Sequence, residues 1–369
     1  MPKLLKILPK NKLAGHLISI KYNKRRHDDG FSVSVSPPLQ SCVCCGRYVV
    51  KLESELKNMD WFQEYKELVF SESISVENID RAMSLKYDHI PSILYKYRSI
   101  NEYSLKNLEE DTVWLSDPKN FNDPYDCSFH HEVAIDPDNS DLVLSMAHEN
   151  GLTDGLTEEQ IQAVRESESP TIKLLELSYP DEPEFGRSCG EALSHAMKEH
   201  ANALVRETSE GFKGMFKICC FSENPKSILM WSHYADYHSG FCIGYDFYEL
   251  GDKDLRARSI YPVVYSDEMF DATDVFGPTK NVDNILYLNQ TALIKSAEWS
   301  YEKEWRLVFG NMLIKQEVSY RMPKPKRVIL GAKISFDNEE AIRKICDRKN
   351  IEVIKLYMKH DQFVLDVQK

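Results

Sequence analysis

The sequence has no apolar run approaching the roughly 18 residues that a membrane-spanning helix needs, so no membrane segment is expected. No secretory leader is expected either. The N-terminus is basic, but no continuous apolar core or small-residue cleavage site follows it. Nine cysteines are an odd number, and Cys219, Cys220 and Cys242 lie in apolar contexts. This excludes a disulfide framework and predicts buried thiols in a reducing compartment, hence a cytoplasmic protein. Cys42, Cys44 and Cys45 beside Gly46 resemble half of a zinc knuckle. No second pair of Cys or His follows nearby, so no metal is expected. Acid is missing from the first 27 residues, which hold eight Lys and Arg. The chain as a whole is −12, which leaves about −20 for the rest. So acidic a body does not attract nucleic acid over its whole surface; the basic N-terminus alone could tether it.

Regular strand–helix alternation and internal repeats are absent too. A mixed or antiparallel sheet with helices packed on it, an α+β fold, is therefore predicted rather than a doubly wound one. Residues 1–88 read as an appendage with a basic start and 89–369 as the core domain. Strands are predicted at Ile93–Tyr97, Thr112–Leu115, Lys217–Phe221, Gly240–Tyr245, Ile260–Tyr265, Glu304–Phe309, Arg327–Leu330 and Ile351–Met358. Helices are predicted at Asn101–Glu110, Asn284–Ala297 and Glu339–Asn350. A helical insertion is expected at about 138–212. It includes a Thr157/Gln160 capping box and a stripe of Leu193, Met197, Ala201 and Leu204 that should face a core.

Three dense motifs hold the candidate chemistry. The first runs from Leu94 to Ser99 and continues through Trp114 to Cys127. On a strand, Lys96 and Arg98 share one face and Tyr95 and Tyr97 the other. Arg98 could clamp a phosphate or carboxylate with its planar fork, or pair with Asp123 or Asp126. Asn122 and Asp123 suit capping of their own turn. The second motif runs from Cys219 to Ala235, with Gly240–Tyr245 after it. It gathers Trp231, His233 and Tyr234, which could sandwich a planar ring or move protons, or could be core. A Cys220–His233 nucleophilic pair is disfavoured by the apolar setting of Cys220. In the third motif, Lys295 to Arg306, a strand starting near Glu302 would align Glu302, Glu304 and Arg306. Carboxylates that close repel and raise one pKa, as active sites do. The alternative is an exposed edge strand of mixed charge.

Together these motifs resemble a bacterial domain-of-unknown-function family, number 2971. The matching pieces are YKYR, FNDPYD, CFS, MWSHYA, GFCIGY, YEKEWR and Ile329–Gly331, which together span roughly 90–360. The resemblance implies a role in phage defence, alone or with a partner protein, and gives no reaction. A second resemblance is to ADP-ribosyltransferases of the Arg–Ser–Glu type, in which Arg98, Ser116 and Glu302-Lys-Glu304 fall in the family's order. It implies NAD as substrate and a protein or nucleic-acid acceptor. Glu304 would then be the catalytic carboxylate, with Glu302 its helper and Arg98 the phosphate clamp. Ser116, Asn122 and Asp123 would support the pocket, His233 and Tyr234 would touch ring or ribose, and Tyr97 or Trp231 would stack on nicotinamide. Ser116 does not sit in that family's Ser-Thr-Ser run. These expectations point to an NAD-consuming transferase or glycohydrolase acting as toxin or defence effector. The alternative is a non-enzymatic module that senses a ligand or a phage protein, with Arg98 and Glu304 paired to each other.

Overall fold

The computed structural model describes residues 18–25, 28–35, 61–70, 75–277 and 285–367, with the backbone alone for those before 36. The cysteine cluster at 42–45 lies outside the described residues. Two compact units divide at Leu68 and Val69, twenty residues before the boundary expected from the sequence. In the first unit, Ile18–Arg25 and Asp28–Val35 form an antiparallel hairpin in unbroken register, Ile18 against Val35 and Arg25 against Asp28.

The second unit is built on an eight-stranded mixed sheet, as expected of an α+β fold. Its strands in chain order are β1 (Leu94–Arg98), β2 (Phe216–Ser222), β3 (Phe241–Tyr245), β4 (Ile260–Pro262), β5 (Glu304–Gly310), β6 (Arg327–Leu330), β7 (Glu352–Met358) and β8 (Leu365–Val367). Their spatial order is β8-β7-β6-β3-β1-β2-β5-β4. Only β6 and β7 run parallel, joined by a helix at Phe336–Lys349. All other neighbours are antiparallel.

Helix α1 (Val76–His89) precedes the sheet, and α2 (Glu102–Glu110) follows β1 directly. Asn101 starts α2 with a capping box: its side chain accepts from Ser104 N–H at 2.8 Å, and Ser104 accepts from Asn101 N–H at 3.0 Å. The insertion comprises α3 (Ser140–Glu149), α4 (Glu158–Arg165), α5 (Pro170–Ser178) and α6 (Pro183–Lys213). Val143, Leu144, Ala147, Val164 and Leu174 form its own core. The expected stripe on α6 is not fully buried. Leu193 is 45% exposed and Met197, Ala201 and Leu204 are half-buried, while the buried positions in the first half of the helix are Gly186, Gly190 and Ser194. Small residues win that face because α5 packs too close for larger ones. A Cβ on Gly190 would come within 2.6 Å of Ile172 Cα.

Two further expectations change. The helix expected over Asn284–Ala297 is present only in its first part, as a 3₁₀ helix at Ile285–Ala292; it gives way to a strand, Ile294–Ser296, paired parallel to Val264–Ser266. And β5 is no exposed edge. It lies between β2 and β4, and six of its seven residues are buried.

Candidate active site

The sheet opens where the site forms. Strands β1 and β2 pair only through Tyr95 and Ser222. Farther along β2, Ile218 exchanges two 2.9 Å hydrogen bonds with Ser116 instead. A cavity of about 470 Å³ lies against the strands there, lined by Tyr95, Lys96 and Tyr97 of β1, Cys220 and Phe221 of β2, and Glu304 of β5. Helix α7 (Ile228–Tyr234), started by Ser227 accepting from Met230 N–H, adds Met230, His233 and Tyr234. The loop after Ser116 adds Asn120, Phe121, Asn122 and Asp126, and Lys295 and Glu302 complete the wall.

A buried charge network forms the floor. Arg306 is 0% exposed and is the hub. Its Nε donates to Glu304 Oε1 at 2.8 Å and its Nη2 to Glu304 Oε2 at 3.1 Å. The far side of the same guanidinium meets Asp126 at 2.8 Å, and Nη1 also donates to the Ala292 carbonyl at 2.9 Å. Lys295 is the second hub, with Nζ 2.6 Å from Glu302, 3.0 Å from Glu304 and 3.6 Å from Asp126. Tyr234 donates its hydroxyl to the other oxygen of Glu302 at 2.7 Å. Charges this deep are held only when paired and hydrogen-bonded, and these are.

The bookkeeping of sign decides the protonation. Three carboxylates face two cations, so one negative charge is in excess. Burial opposes ionisation of Glu304, but Arg306 and Lys295 outweigh it and hold that carboxyl far below the ordinary value. Burial and the nearby Glu304 charge push Glu302 upward, against the pull of Lys295 and Tyr234. The excess thus falls on Glu302. Two carboxyls joined through one lysine are driven in opposite directions, the arrangement that separates acid–base roles. Burial also raises the Cys220 thiol well above its usual range, with Glu304 adding to it, which disfavours the thiolate that a nucleophile needs.

The structure sorts the residues singled out from sequence. Tyr97, Asn122, His233, Tyr234, Glu302 and Glu304 line this one cavity. Glu302 reaches it differently from the expected strand: it ends a 3₁₀ turn, Ala297–Glu302, and Lys303 turns in the left-handed region (φ 45°) before β5 begins at Glu304. Trp231 is excluded. It is fully buried, its indole N–H donates to the Pro225 carbonyl at 2.8 Å, and it packs edge-on to Tyr97 at 5.2 Å. Asp123 accepts from Tyr125 N–H at 2.9 Å, capping its own turn. Ser116 does not line the cavity; its main chain is tied to β2.

Arg98 pairs with neither Asp126 nor Glu304, which belong to Arg306 and Lys295. Strand register puts Tyr95, Ser222 and Glu304 on one side of the sheet and Lys96 and Arg98 on the other. Arg98 donates to Asn107 Oδ1 at 3.1 Å and lines an adjoining cavity, which shares Lys96, Tyr97 and Tyr234 with the first.

Lys295 is the cavity residue that the sequence pattern does not single out. It opens the third motif, but a predicted helix hid its strand position beside Glu302. In sequence Asp126 stands only as a partner for Arg98, and nothing marks out Phe121, whose ring lies 5.8 Å from the Arg306 guanidinium. Among the described residues no helix is long and apolar enough to cross a membrane, and no cluster of three or more His, Cys, Asp or Glu could hold a metal ion. No curated protein and no solved structure shows a significant match, so the ADP-ribosyltransferase resemblance gains no support from comparison. Residues 230–307, from within α7 to Leu307 of β5, do match the family described as "Protein of unknown function (DUF2971)".

Proposed function

We propose that the cavity cleaves the glycosidic bond of an NAD-like nucleotide, either by hydrolysis or by transfer of the ribosyl group to a protein or nucleic-acid acceptor. The observation behind this reading is the pair Glu302 and Glu304, displaced in opposite directions around Lys295 at the wall of an open cavity. In hydrolysis a water oxygen bonds ribose C1′ as the bond from C1′ to the ring nitrogen breaks. The bonding pair passes to nicotinamide, which leaves neutral, and the water gives its proton to a base. Glu302 suits that base: its pKa is raised, and ionised it can take a proton at moderate pH. Glu304 stays ionised and contributes negative potential toward the oxocarbenium-like centre, although Arg306 and Lys295 occupy both its oxygens. The electrostatics therefore favour Glu302 as the reacting group and Glu304 as its anchor, the reverse of the order suggested by motif resemblance. Tyr234 holds Glu302 in place, and His233 at the rim supplies an exposed imidazole for substrate contact.

The family resemblance makes a toxin or phage-defence effector the setting that fits this activity. The test is release of nicotinamide from NAD by purified protein, wild type against Glu302→Gln. Absence of both release and NAD binding would sink the reading. A second reading, a non-enzymatic sensor of a ligand or phage protein, draws on the saturation of Glu304. It predicts ligand binding with no turnover.

A further inference from the structure

The adjoining cavity, about 890 Å³, has a lining unlike the first. Lys96 and Arg98 come from the same side of β1 and both are half-buried. Among the described residues, no carboxylate pairs with either: Arg98 Nη2 is held by the neutral Asn107 amide, and Asn107 in turn donates to Thr112 Oγ1 at 2.8 Å. Cations set into a fold are normally neutralised there, as Lys295 and Arg306 are. A pair left without acids inside an acidic chain marks a place kept for an external anion. The neutral amide fixes the guanidinium without consuming its charge.

Helix α2 turns Tyr103, Lys106, Asn107 and Glu110 toward this cavity at the i, i+3, i+4, i+7 spacing of one face. Lys106 adds a third cation, held loosely by Glu110 at 3.9 Å with both side chains exposed. Facing them is Trp114, opposite Ser319 in the strand pairing, also at the lining. Tyr103 is 70% exposed and Trp114 is 41% exposed. Two large aromatic rings at the rim of unpaired cations bring together the two contacts a nucleotide needs, a stacking surface for the base and donors for phosphate.

We propose that this cavity is a nucleotide subsite, in which Arg98, Lys96 and Lys106 take phosphate and Trp114 with Tyr103 takes the planar base. It deepens the glycosidic reading and rests on it only for the step that a ligand seated here continues past Lys96, Tyr97 and Tyr234 into the first cavity. The test is titration of full-length protein with ADP, adenosine and inorganic pyrophosphate, followed by tryptophan fluorescence and calorimetry. ADP should bind, quench Trp114 fluorescence, and outcompete adenosine and pyrophosphate by tenfold or more each. Arg98→Met and Trp114→Ala should each weaken ADP tenfold or more, and Lys106→Ala threefold or more. Lys106 is on an exposed helix face, so its variant reads binding even if Arg98→Met does not fold.

The proposal is overturned if ADP does not bind, or if binding survives Trp114→Ala and Lys106→Ala unchanged. It is also overturned if pyrophosphate binds as well as ADP, or if single-stranded RNA binds and ADP fails to displace it. ADP binding without NAD turnover would remove the glycosidic reading and keep the subsite. NAD turnover with KM unchanged in Trp114→Ala and Lys106→Ala would do the opposite.

Discussion

The two cavities meet at Lys96, Tyr97 and Tyr234, yet they treat charge in opposite ways. In the first, the two buried cations of the floor are saturated: Arg306 holds two carboxylates and Lys295 touches three. In the second, Lys96 and Arg98 face open volume with no acid partner among the described residues. A saturated network fixes geometry and shifts protons within itself. An unsaturated one waits for charge from outside. The difference teaches that charge density alone, which the sequence displays in both places, does not separate a network closed on itself from one left open. Pairing does.

The comparison breaks first at Arg306. Replacing it with Met leaves Glu304 and Asp126 buried against Lys295 alone, and should cost about 3–5 kcal/mol in urea unfolding. Arg98→Met loses one hydrogen bond to a neutral amide and should cost about 1–2 kcal/mol. Equal losses would mean that the two arginines do the same structural job. Next in size, Glu302→Gln should lower nicotinamide release by about 10²–10³ while leaving the unfolding midpoint close to wild type.

The pH dependence sharpens the contrast inside the first cavity. Glu304 has a folded pKa far below the ordinary 4.5, so its contribution to stability is present above that value and is lost as pH falls below it. Melting curves from pH 7 to 3 should fall on the acid side, and Glu304→Gln should flatten that fall. Glu302 has the opposite sign. Its raised pKa favours the fold while protonated and is a cost as pH rises through the folded value. If Glu302 is the base, kcat should rise with pH along a limb above 4.5. Lys295→Met, by removing the cation that pulls Glu302 down, should move this limb to higher pH. A limb that stays in place would show that Glu302 does not titrate in turnover. The smallest effect is expected at the rim, where Asn122→Ala trims one polar side chain from the cavity lining and should change kcat severalfold at most.

Much of the fold was legible. Alternation and β-branched runs located β1, β2, β3, β5, β6 and β7 to within one or two residues, because buried strands concentrate apolar residues between turn formers. The Thr157/Gln160 capping box starts α4 as expected. The misses share a cause. Leu193, Met197, Ala201 and Leu204 made a convincing helical stripe, but the closest neighbour on α6 is a helix that needs Gly186 and Gly190 beneath it. The residues after 284 have helical periodicity, yet their second half is drawn into a strand by Val264–Ser266. Local pattern does not reveal which neighbour will arrive.

The candidate site follows the same division. Sequence by itself determined which side chains are available: two glutamates two residues apart, an Arg two farther on, an aromatic-rich helix, and Lys and Arg at alternate positions on β1. Their spacing along single strands is a covalent property and survives folding. Tertiary structure decided the partners. Cα register placed Arg98 and Glu304 on opposite sides of the sheet, a loop 180 residues away brought Asp126 to Arg306, and a short parallel strand pair set Lys295 beside Glu302. Protonation depends on distance and burial, and both arise only when distant segments pack. The sequence could therefore name the charges, but only the fold could say which of them are already spent on each other.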